Sequence, residues 1–252
     1  MKPYYERENI TLYQGDSLQI IPSLEPATVS AVITDPPYSS GGMWQGTRSM
    51  PPEAKYCQDG KTLGRPTFSG DNRDGRSWAF WCSLWISECR RLLTDGGYFL
   101  SFIDWRMLPL CTDAVQAGGL VWRGLIAWDK GRGARAPHKG YFKHQCEYVV
   151  WASNGPLRKA VHAGPFDGCH HYPVLQTDKH HMTGKPTALL EQLVGCVPAG
   201  GLILDPFAGS STTAVACVRK GLRFVGIEQE EAYCEISARR LDAEFGQGRL
   251  AA

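Results

Sequence analysis

The stretch LILDPFAGSSTTAVA, residues 202–216, joins a short apolar run to a turn of small residues and then to a helical pattern. It predicts a buried strand ending at Asp205 and a helix from Thr212 to Lys220. In α/β folds, ligands bind beyond the carboxyl ends of such strands. The small residues allow a ligand close to the backbone, and the helix start offers free N–H groups. The stretch therefore predicts one half of a ligand site.

A second strand ends in nearly the same way. AVITDPPYSSGG, residues 31–42, places a β-branched run from Ala31 to Thr34 before Asp35 and two prolines. The short run bounded by turn residues predicts another buried strand. Two strand ends that both read acid-proline predict that two ligands meet side by side.

Strands and helices alternate along the rest of the chain. The segment at 78–93 predicts a helix that is closed by the Asp-Gly-Gly at 95–97, and its stripe of Trp78, Trp81 and Trp85 predicts core packing. Four further strands are predicted, with sequences YFLSFI, GLIAWD, CEYVVWA and RFVGIE, and a final helix from Glu230 to about Phe245. This alternation predicts an α/β fold with a doubly wound, mostly parallel sheet.

Composition favours one globular domain spanning residues 1–252, with insertions at 39–76, 129–145 and 153–180. The 252 residues are 43% hydrophobic, enough for a substantial core. The net charge of +2 neither indicates nor excludes a polyanionic partner. No apolar run approaches the length of a membrane span, and the first residues lack a signal-peptide core, so we expect a cytoplasmic protein with no membrane partner.

The cysteines do not predict disulfides or a zinc site. None of the nine forms a CxxC pair, and most lie in helix-like apolar patterns that predict reduced core residues, namely Cys82, Cys89, Cys196, Cys217 and Cys234. One cluster in a polar, loop-like stretch leaves metal binding open beside the favoured interpretation of solvated histidines: Cys169, His170, His171, His180 and His181. We therefore predict no metal.

The strand-to-helix turn at residues 205–212 limits the nature of its ligand. It is neither GxGxxG nor GxxxxGK[ST], which disfavours a dinucleotide or a triphosphate. One strand later, RFVGIE places Glu228 at a strand tip, where a carboxylate suits the hydroxyls of a ribose. The pattern predicts a nucleoside with a small tail that carries a carboxylate, which is the shape of S-adenosylmethionine (SAM).

Three segments together resemble the DNA amino-methyltransferases, which methylate adenine N6 or cytosine N4. They are DPPY at 35–38, HMTGKPTALLEQLV at 181–194 and DPFAGSST at 205–212. Their order, with the catalytic motif first, resembles the permuted beta group, and the resemblance spans residues 12–241. It implies a Rossmann-like, SAM-dependent methyltransferase fold with a circularly permuted motif order.

The resemblance also implies a set of cofactor residues. Asp16 would lie near the adenine amino group, Glu228 on the ribose hydroxyls, and Thr183 and Lys185 beside the carboxylate. The full predicted set is Asp16, Thr183, Lys185, Asp205, Pro206, Phe207, Gly209, Ser210, Thr212 and Glu228. The family pattern has glycine where this chain has Ser211. If that position needs a positive φ, serine costs about 1 kcal/mol.

The DPPY segment matches the chemistry of amino methylation. The lone pair of an exocyclic amino group is delocalised into its ring, and two acceptors aimed at its N–H bonds draw the nitrogen toward tetrahedral geometry. We predict that the Asp35 side chain and the Pro36 carbonyl, held by the stiff pair with Pro37, are these acceptors. Tyr38 would stack on the base after it leaves the duplex. The direct attack needs no cysteine nucleophile.

Basic residues in a glycine-rich loop predict contacts with double-stranded DNA. They are Lys130, Arg132, Arg135, Lys139 and Lys143, and the alternative is a solvated loop without a partner. The insertion at 39–76 would close over the base or the cofactor. The stretch at 153–180 is short for a target-recognition region, so we expect a short target.

The substrate and the partners leave alternatives open. An acid in place of serine at the head of the motif favours adenine N6, by resemblance. Cytosine N4, an RNA or protein-amide substrate, and an inactive subunit that binds SAM and DNA remain alternatives. The resemblance also implies a homodimer, and a separate restriction endonuclease stays an open partner.

Overall fold

The computed structural model describes residues 1–38, 73–131, 134, 138–173 and 184–250. Most of the insertion predicted at 39–76, and parts of those at 129–145 and 153–180, lie outside the described residues. The described strands are β1 Tyr5–Arg7, β2 Ile10–Gln14, β3 Val29–Thr34, β4 Leu93–Ile103, β5 Val121–Asp129, β6 Cys146–Ser153, β7 Cys169–His171, β8 Leu202–Asp205 and β9 Arg223–Glu228. The α-helices are α1 Ser17–Ile20, α2 Gly75–Leu92, α3 Leu108–Ala117, α4 Thr187–Leu193, α5 Thr212–Lys220 and α6 Glu231–Leu250.

One sheet contains all of these strands in the order β1-β2-β9-β8-β3-β4-β6-β5-β7. The neighbouring strands from β2 to β4 run parallel, whereas β6 is antiparallel to both β4 and β5. Crossover helices α2 and α5 each connect parallel neighbours, as a doubly wound sheet requires. The predicted fold class is therefore confirmed.

Alternate residues of the central strand β3 face two separate hydrophobic clusters. Ala31 and Ile33 pack in one cluster with buried residues of α4 and α5. Val32 packs in the other cluster with buried residues of α2 and α3. The side-chain period of two along a strand explains this division. Helices thus cover both faces of the sheet, and the ends of its strands are left accessible to ligands.

Helix α2 begins at an Asp74 cap, whose carboxylate accepts hydrogen bonds from the backbone of Arg76 and Ser77. Trp78 and Trp85 are buried, which confirms the predicted core role for these two, whereas Trp81 is half-buried and lines a cavity. The helix ends at Leu92, one residue before its predicted end, but the predicted break at Asp-Gly-Gly is wrong, because β4 begins at Leu93 and runs through these residues. Gly96 interrupts the extended backbone with a left-handed φ of 73°, which glycine permits, and its N–H donates to the Asn154 carbonyl (2.7 Å), so the strand continues beyond it.

A second correction concerns residues 169–171, which were expected in a loop but form the short strand β7. This strand pairs in parallel with β5, whose outer backbone groups need partners. Trp128 supports it by donating its indole N–H to the Tyr172 carbonyl (2.8 Å). None of the described helices combines the length and apolarity needed to cross a bilayer.

Candidate active site

Carboxyl groups mark the ends of four adjacent parallel strands. Asp16 lies just beyond β2, Glu228 ends β9, Asp205 ends β8, and Asp35 directly follows β3. All four line one cavity of about 350 Å³. This volume falls within the range of about 300–1,000 Å³ found for small-molecule sites. The two acid-proline strand ends lie side by side on the neighbouring strands β8 and β3, and the meeting of two ligands there stays a prediction.

The row of acids continues across the rest of this side of the sheet. Asp104 follows β4, Glu147 lies at the start of the antiparallel β6, and Asp129 ends β5. Together with the four above, these seven carboxyl groups form what we call the acidic edge. Arg106 neutralises Asp104 through an ion pair of 2.5 Å. Cations are therefore required wherever two of these acids approach each other.

Two lysines provide such cations between Asp35 and Glu147. The Lys185 amine lies 2.5 Å from a carboxylate oxygen of Asp35 and 3.8 Å from one of Glu147. The Lys130 amine contacts the other oxygen of Glu147 at 3.0 Å. The Tyr38 hydroxyl lies 3.5 Å from Glu147. Two carboxylates and two ammonium groups thus form one balanced cluster beside the DPPY segment.

Each charge in this cluster stabilises the ionised form of its neighbours. Burial alone would lower the pKa of Lys185, but Asp35 and Glu147 outweigh it, and the pKa lies above its usual value. Burial likewise opposes ionisation of Glu147, but Lys185 and Lys130 hold its pKa below the usual value. Lys185 therefore stays protonated beside Asp35, which keeps the aspartate a hydrogen-bond acceptor.

Packing fixes the DPPY segment from one side. The Trp78 indole donates a 2.6 Å hydrogen bond to the Pro37 carbonyl. The Tyr38 ring is 6% exposed, with the Lys185 amine 5.7 Å from its centroid. Tyr38 lines the cavity from within the hydrophobic cluster. Its predicted stacking on a flipped base stays a prediction.

The acid-proline end of strand β8 contains an almost fully buried aspartate, Asp205. Asp205 accepts hydrogen bonds from the hydroxyls of Thr34 (2.7 Å) and Thr213 (2.9 Å) and from the Phe207 N–H (3.1 Å). Burial raises the pKa of Asp205 to about 6, although these donors act in the opposite direction. Phe207 packs on Trp81, with ring centroids 5.2 Å apart. Asp205 thus orders the turn that follows it.

Glu228 connects the tip of β9 to the turn after β8. Its carboxylate accepts hydrogen bonds from the backbone N–H groups of Gly209 (2.8 Å) and Glu230 (2.9 Å). Burial raises the pKa of Glu228 to about 7 despite these two donors. The group therefore titrates close to neutral pH, which makes it a candidate for ligand-linked proton release.

Two side chains of helix α6 form hydrogen bonds with the turn from Gly209 to Thr212. The Ser237 hydroxyl donates to the Gly209 carbonyl (3.0 Å), and the Arg240 guanidinium contacts the Ser210 carbonyl and the Thr212 hydroxyl. Ser211 adopts a left-handed backbone with φ of 58°. Among the described residues, its buried hydroxyl has no hydrogen-bond partner. The position therefore has the positive φ under which serine carries a conformational cost.

We expect Ser211→Gly to raise the free energy of unfolding by about 2 kcal/mol. Left-handed strain costs a non-glycine residue about 1–2 kcal/mol, and burying an unsatisfied hydroxyl adds about 1 kcal/mol. The greater freedom of unfolded glycine offsets about 0.4–1 kcal/mol. Urea denaturation measures the difference. Ser211→Ala, which keeps the strain but lacks the hydroxyl, should gain less, and a glycine variant less stable than wild type would contradict this account.

The structure brings most of the predicted site residues together. The cavity is lined by Asp16, Asp35, Pro36, Pro37, Tyr38, Lys185, Asp205, Pro206, Phe207, Gly209, Ser210, Thr212 and Glu228. The predicted residues Thr183, Arg132 and Arg135, with His180 and His181 of the open metal cluster, lie outside the described residues. In the part of the chain that is described, no group of three or more His, Cys, Asp or Glu side chains could hold a metal ion.

Other outcomes differ from residue to residue. The Lys185 amine forms an ion pair with the Asp35 carboxylate, so its predicted contact with a cofactor carboxylate stays a prediction. Lys130 contacts Glu147, whereas Lys139 and Lys143 are exposed on the loop. Sequence reasoning missed several residues of the cavity lining, among them Arg73 and Trp81, and it missed Glu147. The acid at the start of the apolar CEYVVWA strand was the available signal for Glu147.

Comparison with known proteins agrees with this geometry. The family model described as DNA methylase, of the N6/N4 group, matches residues 29–163 and 162–239. The type II methyltransferase M.ScaI of Streptomyces caespitosus is 27% identical over 282 residues, covering 96% of this chain and 84% of the relative.

Two solved structures share the fold. The M1.HpyAVI–SAM complex has a TM-score of 0.65 at 23% identity, covering 92% of this chain and 98% of that chain. The PvuII DNA methyltransferase, described as cytosine-N4-specific, has a TM-score of 0.70 at 18% identity, covering 95% of this chain and 88% of that chain.

Proposed function

This chain belongs to the N6/N4 DNA methylase family, and from that we propose that it transfers a methyl group from SAM to N6 of an adenine flipped out of double-stranded DNA. The observation that carries the proposal is the single cavity that Asp35 shares with Asp205 and Glu228. A reacting amino group at Asp35 and a nucleoside at Glu228 would then be held next to each other.

The residues present fit SAM. Gly209, with φ of 53°, lets a ligand approach the turn without a side chain in the way, and Glu228 offers carboxylate oxygens to ribose hydroxyls. Asp16 lies on the neighbouring strand end, within the same cavity, where it can accept from an amino group. When bound, SAM supplies an electrophilic methyl group on a sulfonium. The carboxyl groups around the cavity favour that positive charge.

The Asp35 side chain and the Pro36 carbonyl would orient the target amine. Lys185 holds Asp35 in an ion pair, which keeps the carboxylate ionised and makes it a weak proton acceptor. Asp35 therefore serves mainly as a hydrogen-bond acceptor that aligns the N–H bonds of the target amine. The Trp78 indole donates to the Pro37 carbonyl, and this bond fixes the peptide between Pro37 and Tyr38, next to the Pro36 carbonyl. Positioning and preorganised charge therefore supply the rate acceleration that this chain contributes.

We expect the affinity for SAM to fall as the pH decreases from about 8 to about 6. The pKa of Glu228 is raised to about 7, and only its ionised form accepts fully from both ribose hydroxyls, so binding at neutral pH releases protons. Calorimetry in two buffers of different ionisation enthalpy measures this release. In Glu228→Gln we expect weaker binding and a smaller pH dependence, limited to the range where Asp205 titrates. An unchanged pH dependence in that variant would contradict the assignment.

The choice of adenine rests on the acid at the head of the DPPY segment. The PvuII enzyme is described as cytosine-N4-specific, so the same fold also serves the other base. The test is transfer of labelled methyl groups from SAM to unmethylated genomic DNA, followed by digestion and mass spectrometry of the nucleosides. N6-methyladenine is the expected product. N4-methylcytosine would overturn the choice of base, and the absence of any methylated nucleoside would overturn the proposed function.

A further inference from the structure

The loop between β5 and β6 exposes two aromatic side chains to solvent. Phe142 is 95% exposed and Tyr141 is 55% exposed, and the Tyr141 ring lies 4.2 Å from the His138 ring. No other large hydrophobic residue in the described part of the chain is as exposed as Phe142. Such a side chain keeps nearly all of its apolar surface in water, which folding alone does not favour.

The base of this loop is attached to the proposed active site. The Lys130 N–H donates to the Gln145 carbonyl (2.9 Å), and the Gln145 amide donates to Asp129 (2.8 Å). The Lys130 amine contacts Glu147 at 3.0 Å, and Glu147 lies 3.5 Å from the Tyr38 hydroxyl. The loop therefore leaves the sheet at the same end as Asp35, with β4 between β3 and β6, and Lys130 and Glu147 connect its base to the DPPY segment.

The surroundings of Phe142 suit a polyanion. Residues 138–145, HKGYFKHQ, contain no acid, and Lys139 and Lys143 are exposed on either side of the aromatic pair. His144 stacks on the Trp105 ring, with centroids 5.8 Å apart and planes inclined by 24°. This stack ties the loop to the segment after β4. An apolar tip between two cations matches a stack of bases between two phosphate backbones.

We propose that Phe142 inserts into duplex DNA at the position that the target base leaves, while Lys139 and Lys143 bind the flanking phosphates. The inference rests on the proposed function, because only an enzyme that flips a base creates this gap. Removing a base from the stack loses its stacking contacts and its pairing. An aromatic ring in the gap restores part of the stacking and holds the base outside.

The test compares Phe142→Ala with wild type on two duplex oligonucleotides that contain a site methylated by the wild type in genomic DNA. In one duplex the target base is paired, and in the other it faces a mismatch. On the paired duplex we expect kcat/KM of the variant to fall about 10-fold or more, the loss that follows removal of one stacking contact. On the mismatched duplex, where flipping costs less, the loss should shrink to about threefold or less. Phe142→Trp should retain activity on both.

Phe80→Ala is the matched control, because Phe80 is also a strongly exposed phenylalanine, at 67%, and it lies on helix α2, outside both the cavity lining and this loop. Its activity should equal that of wild type on both duplexes. Equal activity of Phe142→Ala and wild type on the paired duplex would overturn the insertion, and so would an equal loss on both duplexes, which would indicate a simple contact. In either case methylation by the wild type would leave the proposed function standing. A wild type that methylates no DNA would remove both proposals.

Discussion

Asp35→Asn should lower kcat for DNA methylation by about 10²–10³-fold while the Kd for SAM changes less than about threefold. Loss of one preorganised hydrogen-bonding group at a reacting centre has an effect of this size. The amide presents an N–H where the carboxylate offered an acceptor, so the target amino group meets a donor. SAM binding is spared because Asp205 and Glu228, which order the turn after β8, are intact. Single-turnover kinetics and calorimetry measure the two quantities.

The matched control for this variant is Asp95→Asn. Asp95 also forms an aspartate ion pair, at 2.8 Å with Arg158, but its side chain is 61% exposed and lies outside the cavity lining. We expect wild-type kinetics from it. If Asp35→Asn kept its kcat, or lost SAM binding in proportion to its activity, the role of Asp35 as an acceptor for the target amine would be wrong.

Lys185→Met should produce the second large effect, a loss of about 10²-fold in kcat together with a shift of the acid limb of the rate profile to higher pH. Lys185 is the cation that separates Asp35 from Glu147, and its side chain is only 6% exposed. Without it, two carboxylates share a partly buried space, and one of them takes up a proton more readily. The acceptor is then lost at a pH at which the wild type is still active. The measurement is kcat between about pH 5 and about pH 9.

A purely structural role for Lys185 predicts a different result. It would lower stability through the uncompensated carboxylates, by about 3 kcal/mol, without moving the pH profile. Lys185→Arg keeps the charge and should return the acid limb to its wild-type position even if kcat recovers only in part. Lys220→Met removes an exposed lysine at the end of α5 and should change neither quantity. An unshifted profile in Lys185→Met would reject the electrostatic role.

The central sheet was predictable because its strands carry strong local signals. Ala31–Thr34 and RFVGIE are apolar runs bounded by turn residues, and the observed strands Val29–Thr34 and Arg223–Glu228 match them closely. The helix from Thr212 to Lys220 was also correct, because Gly221 with φ of 63° ends it. Where the sequence contains its own boundary signals, tertiary structure had little to change.

The errors arise where a distant partner decides the structure. Asp-Gly-Gly at 95–97 is a strong turn signal, yet backbone pairing with Asn154 extends β4 through it. Residues 169–171 became a strand only because β5 offers an open edge. Glu147 was missed for the same reason: the sequence shows an acid at the start of a strand, but nothing local reveals that this strand begins beside Lys185. The charge cluster is built from four separate segments, and only the fold brings them together.

The acidic edge also has a consequence for turnover. The proposed cofactor carries a positive sulfonium before methyl transfer and a neutral thioether afterwards. Carboxyl groups attract the cation more strongly than a neutral molecule of nearly the same shape, especially where water is partly excluded. Methyl transfer therefore removes an attraction at the moment when the product forms. We expect this change of charge to lower the affinity for the demethylated product relative to that for the methyl donor, which favours exchange of one for the other.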